Sequence, residues 1–184
     1  MTDFLKLAAG LSVYNDGRYN GYAIGRAYWQ LEGKIHTVES RMQSEKEAYA
    51  VIEVNGFDKV HNLAGRLTVT LIKSDGLFRE NRIPQKQSDM DEWFCFTWAQ
   101  AENYLEQVQD TNPIHRGEGA VVPGLMLIDW LLDNGFISLG KQGYTMRFKA
   151  PLFMGSYFVC LVQGEKLLVE SPDKGICYAE VIFS

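Results

Sequence analysis

His115 follows Asp110 by five residues in the polar stretch DTNPIH, and Asp129 stands fourteen residues beyond His115 among Leu125, Met126, Leu127, Ile128, Trp130, Leu131 and Leu132. An imidazole and a carboxylate kept partly dry are the parts needed for proton transfer next to a thioester carbonyl. Between them, Pro123-Gly124 has the composition of a helix start. The first-turn amides of Gly124 and Leu125 would have no intrahelical acceptor and would carry the positive end of the dipole, which suits a carbonyl oxygen that becomes enolate-like. Asp129 would lie about 7.5 Å along that helix from Gly124, at the usual rise per residue. Burial there would raise its pKa and fit it to act as an acid near neutral pH.

Each of these residues also has a plain structural role open to it. Asp110 precedes Thr-Asn-Pro, where an aspartate commonly serves a turn. Asp129 and Asp133 are four apart and could form a solvated stripe on one helix face. His115 could be a loop histidine bonded to backbone. His36 and His61 stand in strand-like or turn regions without partners, and structural roles are expected for both.

The elements that would position these groups fall into two stretches, giving an α+β protein with a strand-rich unit over 1–90 and a second unit over 91–184. In the first, GYAIGRAYWQL, KIHTVESRM, AYAVIEVNG and GRLTVTLIKSDG read as strands. The polar, proline-containing run at 79–92 is the expected connector. Beyond it, Thr97 with Gln100 three places on forms a capping-box pattern, and Ala101, Tyr104, Leu105 and Val108 share one helical face. A second helix is expected from Pro123-Gly124 to Asn134-Gly135, apolar nearly all round, as in a helix enclosed by protein on several sides. YTMRFKAPLF, SYFVCLVQ, KLLVE and ICYAEVIF then read as strands, so that a sheet should wrap around the buried helix.

Composition excludes several classes. The chain has 184 residues, 46% of them hydrophobic, and a net charge of −5 with its basic residues scattered. A nucleic-acid partner is not expected. No apolar run approaches the roughly 20 residues of a membrane span, and the amino terminus lacks signal-peptide features, so a cytoplasmic protein is expected. Cys95, Cys160 and Cys177 show no ligand spacing and are expected to be buried, reduced thiols.

The spacing His115, Pro123-Gly124, Asp129 resembles the active-site motif of the bacterial 3-hydroxyacyl-carrier-protein dehydratases of the hot-dog fold. Upstream, FTWAQAENYLEQVQDTNPIH is similar to the MaoC-like enoyl-CoA hydratases, which share that fold and carry Asp-x-Asn-Pro-x-His. MRFKAPLFMGSYF is similar to the strand, proline and glycine that follow the central helix in both groups. The resemblance covers about residues 93 to 184. It implies a hot-dog unit there, and residues 1–90 have enough strands for a degenerate second one. It implies reversible dehydration of a 3-hydroxyacyl thioester on coenzyme A or acyl carrier protein, with no metal or redox cofactor required. His115 would be one catalytic group and Asp129 or Asp110 its partner. Gly124 and Leu125 would hold the thioester oxygen, and Asn112, Pro123 and Phe148 would contact substrate. A homodimer or higher oligomer, a hot-dog thioesterase and a non-catalytic acyl-thioester binding protein are further expectations that the resemblance leaves open.

Overall fold

The structure is a computed structural model, and it describes residues 1–74, 93–138, 143–173 and 175–183; the connector expected at 79–92 lies outside the described residues. The chain opens on a short helix, α1 (Asp3–Ala9). The Thr2 hydroxyl accepts from the Leu5 amide and Asp3 occupies the first turn, a capped and dipole-matched start. Phe4, Leu5, Leu7 and Ala8 are buried. Gly10 ends the helix at a point where a Cβ would come 2.5 Å from Val54 Cγ1, so only glycine lets α1 sit this close to the sheet.

Four strands follow: β1 (Tyr22–Leu31), β2 (Thr37–Lys46), β3 (Tyr49–Phe57) and β4 (Leu63–Lys73). Their period-2 pattern turns Ala50, Ile52, Val54, Leu67 and Val69 into the core. β1 and β2 are consecutive but do not pair. The amides of Glu32 and Gly33 instead bond the Ala64 carbonyl, and the chain crosses to the outer edge before returning through β2, β3 and β4.

The second half supplies α2 (Trp98–Val108), α3 (Gly124–Asp133), β5 (Tyr144–Phe148), β6 (Val159–Gln163), β7 (Lys166–Glu170) and β8 (Cys177–Phe183). The eight strands form one sheet in the order β2-β3-β4-β1-β5-β8-β7-β6. Every pairing is antiparallel. The halves meet at β1 and β5, where Ala27 faces Met146 and Trp29 faces Tyr144; the last two rings stack at 5.5 Å.

α2 has the expected capping box between Thr97 and Gln100, and buries Ala101, Tyr104, Leu105 and Val108. α3 runs close to its expected bounds. Leu125, Met126, Leu127, Ile128 and Leu131 are buried, while Trp130 meets Phe94, Phe136 and Phe158 with ring centroids 4.7, 5.5 and 5.3 Å away. Packing on these sides explains a sequence that is apolar almost all round.

The three cysteines are free, but contrary to expectation none is fully buried: Cys160 and Cys177 are half-buried and Cys95 is exposed. It lies in an extended run between Phe94 and Phe96, both turned toward the core, so the alternation of the backbone points it outward. Among the described residues no helix is long and apolar enough to cross a membrane.

Candidate active site

The turn between α2 and α3 is pinned at both ends. Gln109 ends α2 in the left-handed conformation (φ 55, ψ 37), and its carbonyl accepts from the Asn15 amide group. Asp110 accepts the Asn112 amide at 2.8 Å, an Asx turn that precedes the short 3-10 turn Pro113–His115. Asn112 then ties this turn to the first half of the chain. Its Oδ1 accepts from the amides of Gly21 at 3.2 Å and Ile114 at 3.3 Å, and its Nδ2 donates to the Tyr22 carbonyl at 2.8 Å.

His115 is fixed by the same loop. Its Nδ1 lies 2.7 Å from the Val121 carbonyl, which can only accept, so the proton sits on Nδ1 and the Nε2 lone pair is left free in the neutral ring. Nε2 is 3.7 Å from Asp110 Oδ2, and the two side chains are 10% and 26% exposed. That gap exceeds a direct hydrogen bond, yet one oxygen atom can bond both groups. Burial pushes the His115 pKa below its usual value, and Arg116 adds to the shift; Asp110 and the Val121 carbonyl oppose it. Burial thus favours the neutral imidazole, whose free Nε2 can accept a proton.

Asp110, His115, Pro123, Gly124, Leu125 and Phe148 all line a cavity of about 410 Å³, and so does Asn112. The cavity runs from these polar groups toward Leu11, Ile24, Ile52 and Leu71 of the first half. Its volume is within the usual range for small-molecule sites, roughly 300–1,000 Å³. Gly124 is the first residue of α3 and lines the cavity wall. A Cβ at this position would come within 2.8 Å of the Phe148 ring, so glycine is what allows the helix start and the aromatic ring to share this edge.

The structure brings His115 and Asp110 together and does not bring Asp129 to them. Asp129 is absent from the cavity wall and accepts instead from the Thr2 hydroxyl at 3.1 Å, so it ties the capping residue of α1 to α3. Its pKa is raised to about 6, chiefly by burial and then by the Asp133 charge, with Thr2 opposing. A polar residue inside an apolar helix thus has a partner 127 positions away. Of the other histidines, His36 donates its amide to the Phe57 carbonyl, and the His61 ring stacks on Phe57 at 4.4 Å. Tyr104, which the periodicity places on the packed face of α2, also lines the cavity; helical spacing alone gives no sign that one member of a buried stripe faces a void.

No protein-family model and no curated protein matches the sequence. Solved structures do match. HtdX from Mycobacterium tuberculosis is similar with a TM-score of 0.69 at 14% identity, over 97% of this chain and 86% of that one. The chain has the hot-dog fold. A MaoC-like dehydratase from Phytophthora capsici shares this hot-dog architecture with a TM-score of 0.55 at 15% identity, over 92% and 74% of the two chains. An acyl-ACP thioesterase from Bacteroides thetaiotaomicron is similar with a TM-score of 0.55 at 10% identity, over 94% and 80%. The match to HtdX spans both halves of the present hot-dog chain, including residues before α2 that the sequence resemblance does not cover.

Proposed function

We propose that the protein catalyses the reversible dehydration of a 3-hydroxyacyl thioester, carried by coenzyme A or an acyl carrier protein, to the 2-enoyl thioester. The observation that carries this reading is the buried His115 with a free Nε2, 3.7 Å from Asp110, at the polar end of a largely apolar cavity. In the dehydration direction, Nε2 takes a proton from C2, which the thioester acidifies. The electron pair moves toward the carbonyl oxygen, held at the amides of Gly124 and Leu125 at the amino end of α3. Collapse of this enolate forms the C2–C3 double bond and breaks the C3–O bond. The departing oxygen recovers the same proton from the imidazolium, directly or relayed by Asp110, and leaves as water. The pair returns to neutral imidazole and carboxylate, so atoms and charge balance without a co-reactant.

The apolar wall made by Leu11, Ile24, Ile52 and Leu71 supports an acyl tail as the group held beyond the reacting carbons. Fold likeness to a MaoC-like dehydratase agrees with this reading. Likeness to an acyl-ACP thioesterase supports a second one, in which Asp110 activates water against the thioester carbon. Hydration of a panel of 2-enoyl thioesters of graded chain length tests the first reading, and release of free thiol from acyl thioesters identifies the second.

A further inference from the structure

Tyr104 lies on the buried face of α2 with 6% of its surface exposed. A phenol this deep ordinarily finds a hydrogen-bond partner, but its hydroxyl has none among the described residues. The hydroxyl is not sealed in apolar packing either: among the described residues the sealed, unpartnered side-chain polar atoms are the indole nitrogens of Trp29 and Trp93. Tyr104 lines the same cavity as Asp110, His115 and Gly124, which is the open space at hand for its hydroxyl. Burial, with the charges of Asp110 and then Asp129, holds its pKa well above the usual tyrosine value, which keeps the group a proton-bearing donor at any working pH.

The proposed chemistry lacks such a donor. The neutral His115 ring and the Asp110 carboxylate are both acceptors on the cavity side, and a water between them gives them its two hydrogens. One lone pair of that oxygen must face C3, and the other is without a partner. In the reverse direction, negative charge grows on the same oxygen as the C3–O bond breaks, and a fixed donor stabilises it more in the transition state than before it.

We infer that Tyr104 is a further catalytic residue, whose phenolic hydroxyl donates a hydrogen bond to the oxygen added to or lost from C3. The inference rests on the dehydratase reading. The test is steady-state hydration of 2-enoyl thioesters by the full chain and by Tyr104→Phe, with thermal melts of both. Removing an unpartnered buried hydroxyl should leave Tm unchanged or raise it. Turnover should fall at least ~10-fold in kcat with KM within ~3-fold, the pattern of an interaction made chiefly in the transition state. A variant with kcat within ~2-fold of wild type overturns the inference alone and leaves the dehydratase reading standing. A fall in Tm also overturns it and assigns the hydroxyl to the fold. Wild-type protein that hydrates no thioester overturns the reading and the inference together.

Discussion

His115 Nε2 lies 3.7 Å from Asp110 Oδ2 while the other ring nitrogen is held 2.7 Å from the Val121 carbonyl. The backbone bond selects the tautomer and aims the free lone pair toward the carboxylate and the cavity. Because burial depresses the His115 pKa, its neutral form should persist on the acid side of neutrality. The rate of hydration should be flat through neutral pH and fall only below the ordinary histidine value of about 6.5. Stability should follow the same direction. The unfolded chain takes up the proton first, so the His115 contribution is present above about 6.5 and is lost as pH falls through the lower folded-state pKa. A pH–rate profile paired with melts over the same range checks both.

Asp129 has the opposite linkage. Its folded pKa is raised to about 6 from 3.8, so the folded state holds a proton that the unfolded chain releases earlier. Stability from this group is present below the unfolded value and is lost as pH rises through about 6. Asp129→Asn keeps an acceptor for Thr2 and removes the charge. It should stabilise the protein at pH 8 by on the order of 1 kcal/mol after allowance for solvent screening, and the gain should vanish near pH 4. Melts at the two pH values decide it, and an unchanged or reduced Tm at the higher pH would show that the Asp129 charge does not burden the fold.

Gly124→Ala would drive a methyl into the Phe148 ring, 2.8 Å from the nearest carbon. Hydration should fall at least ~10-fold because the helix start and its amides must shift. Adding Phe148→Ala should recover part of the loss by opening the space. A double-mutant cycle on kcat/KM should therefore show coupling of roughly 0.5–3 kcal/mol, whereas simple additivity would mean the two residues do not share this edge.

Gln109 adopts φ 55 at the end of α2, where a side chain is strained. Asn15 bonds its backbone carbonyl rather than its side chain, so the contact survives substitution. Gln109→Gly should raise stability by about 0.5–1 kcal/mol, measured by denaturant unfolding.

The parts of this fold that were legible in the sequence are those governed by local periodicity. Thr97 and Gln100 announce α2, Pro123-Gly124 announces α3, and the alternation through Leu67 and Val69 announces β4. What could not be read depends on contacts distant along the chain. The choice between Asp110 and Asp129 is one such case: Asn112 clamps its turn onto Gly21 and Tyr22, and Thr2 claims Asp129. No spacing rule carries those partners. The crossing from β1 to the edge strand β2 is similar, because β1 pairs with β4 and β5 across long separations. α1 is not legible in the sequence because a seven-residue helix offers barely two turns of pattern, and its stability comes from packing on neighbours such as β3 and β4 rather than from propensity.

Paired action of His115 and Asp110 on a 2-enoyl thioester is tested most directly by comparing hydration rates of wild type, His115→Ala, Asp110→Asn and Asp129→Asn on the same substrate. Wild-type turnover is expected, with losses of at least ~100-fold for each of the first two variants, the usual scale for removing a general acid or base. Asp129→Asn should remain within ~5-fold of wild type, since it lies off the cavity wall. Absence of wild-type turnover at every chain length, or a larger loss for Asp129→Asn than for Asp110→Asn, would contradict that paired action.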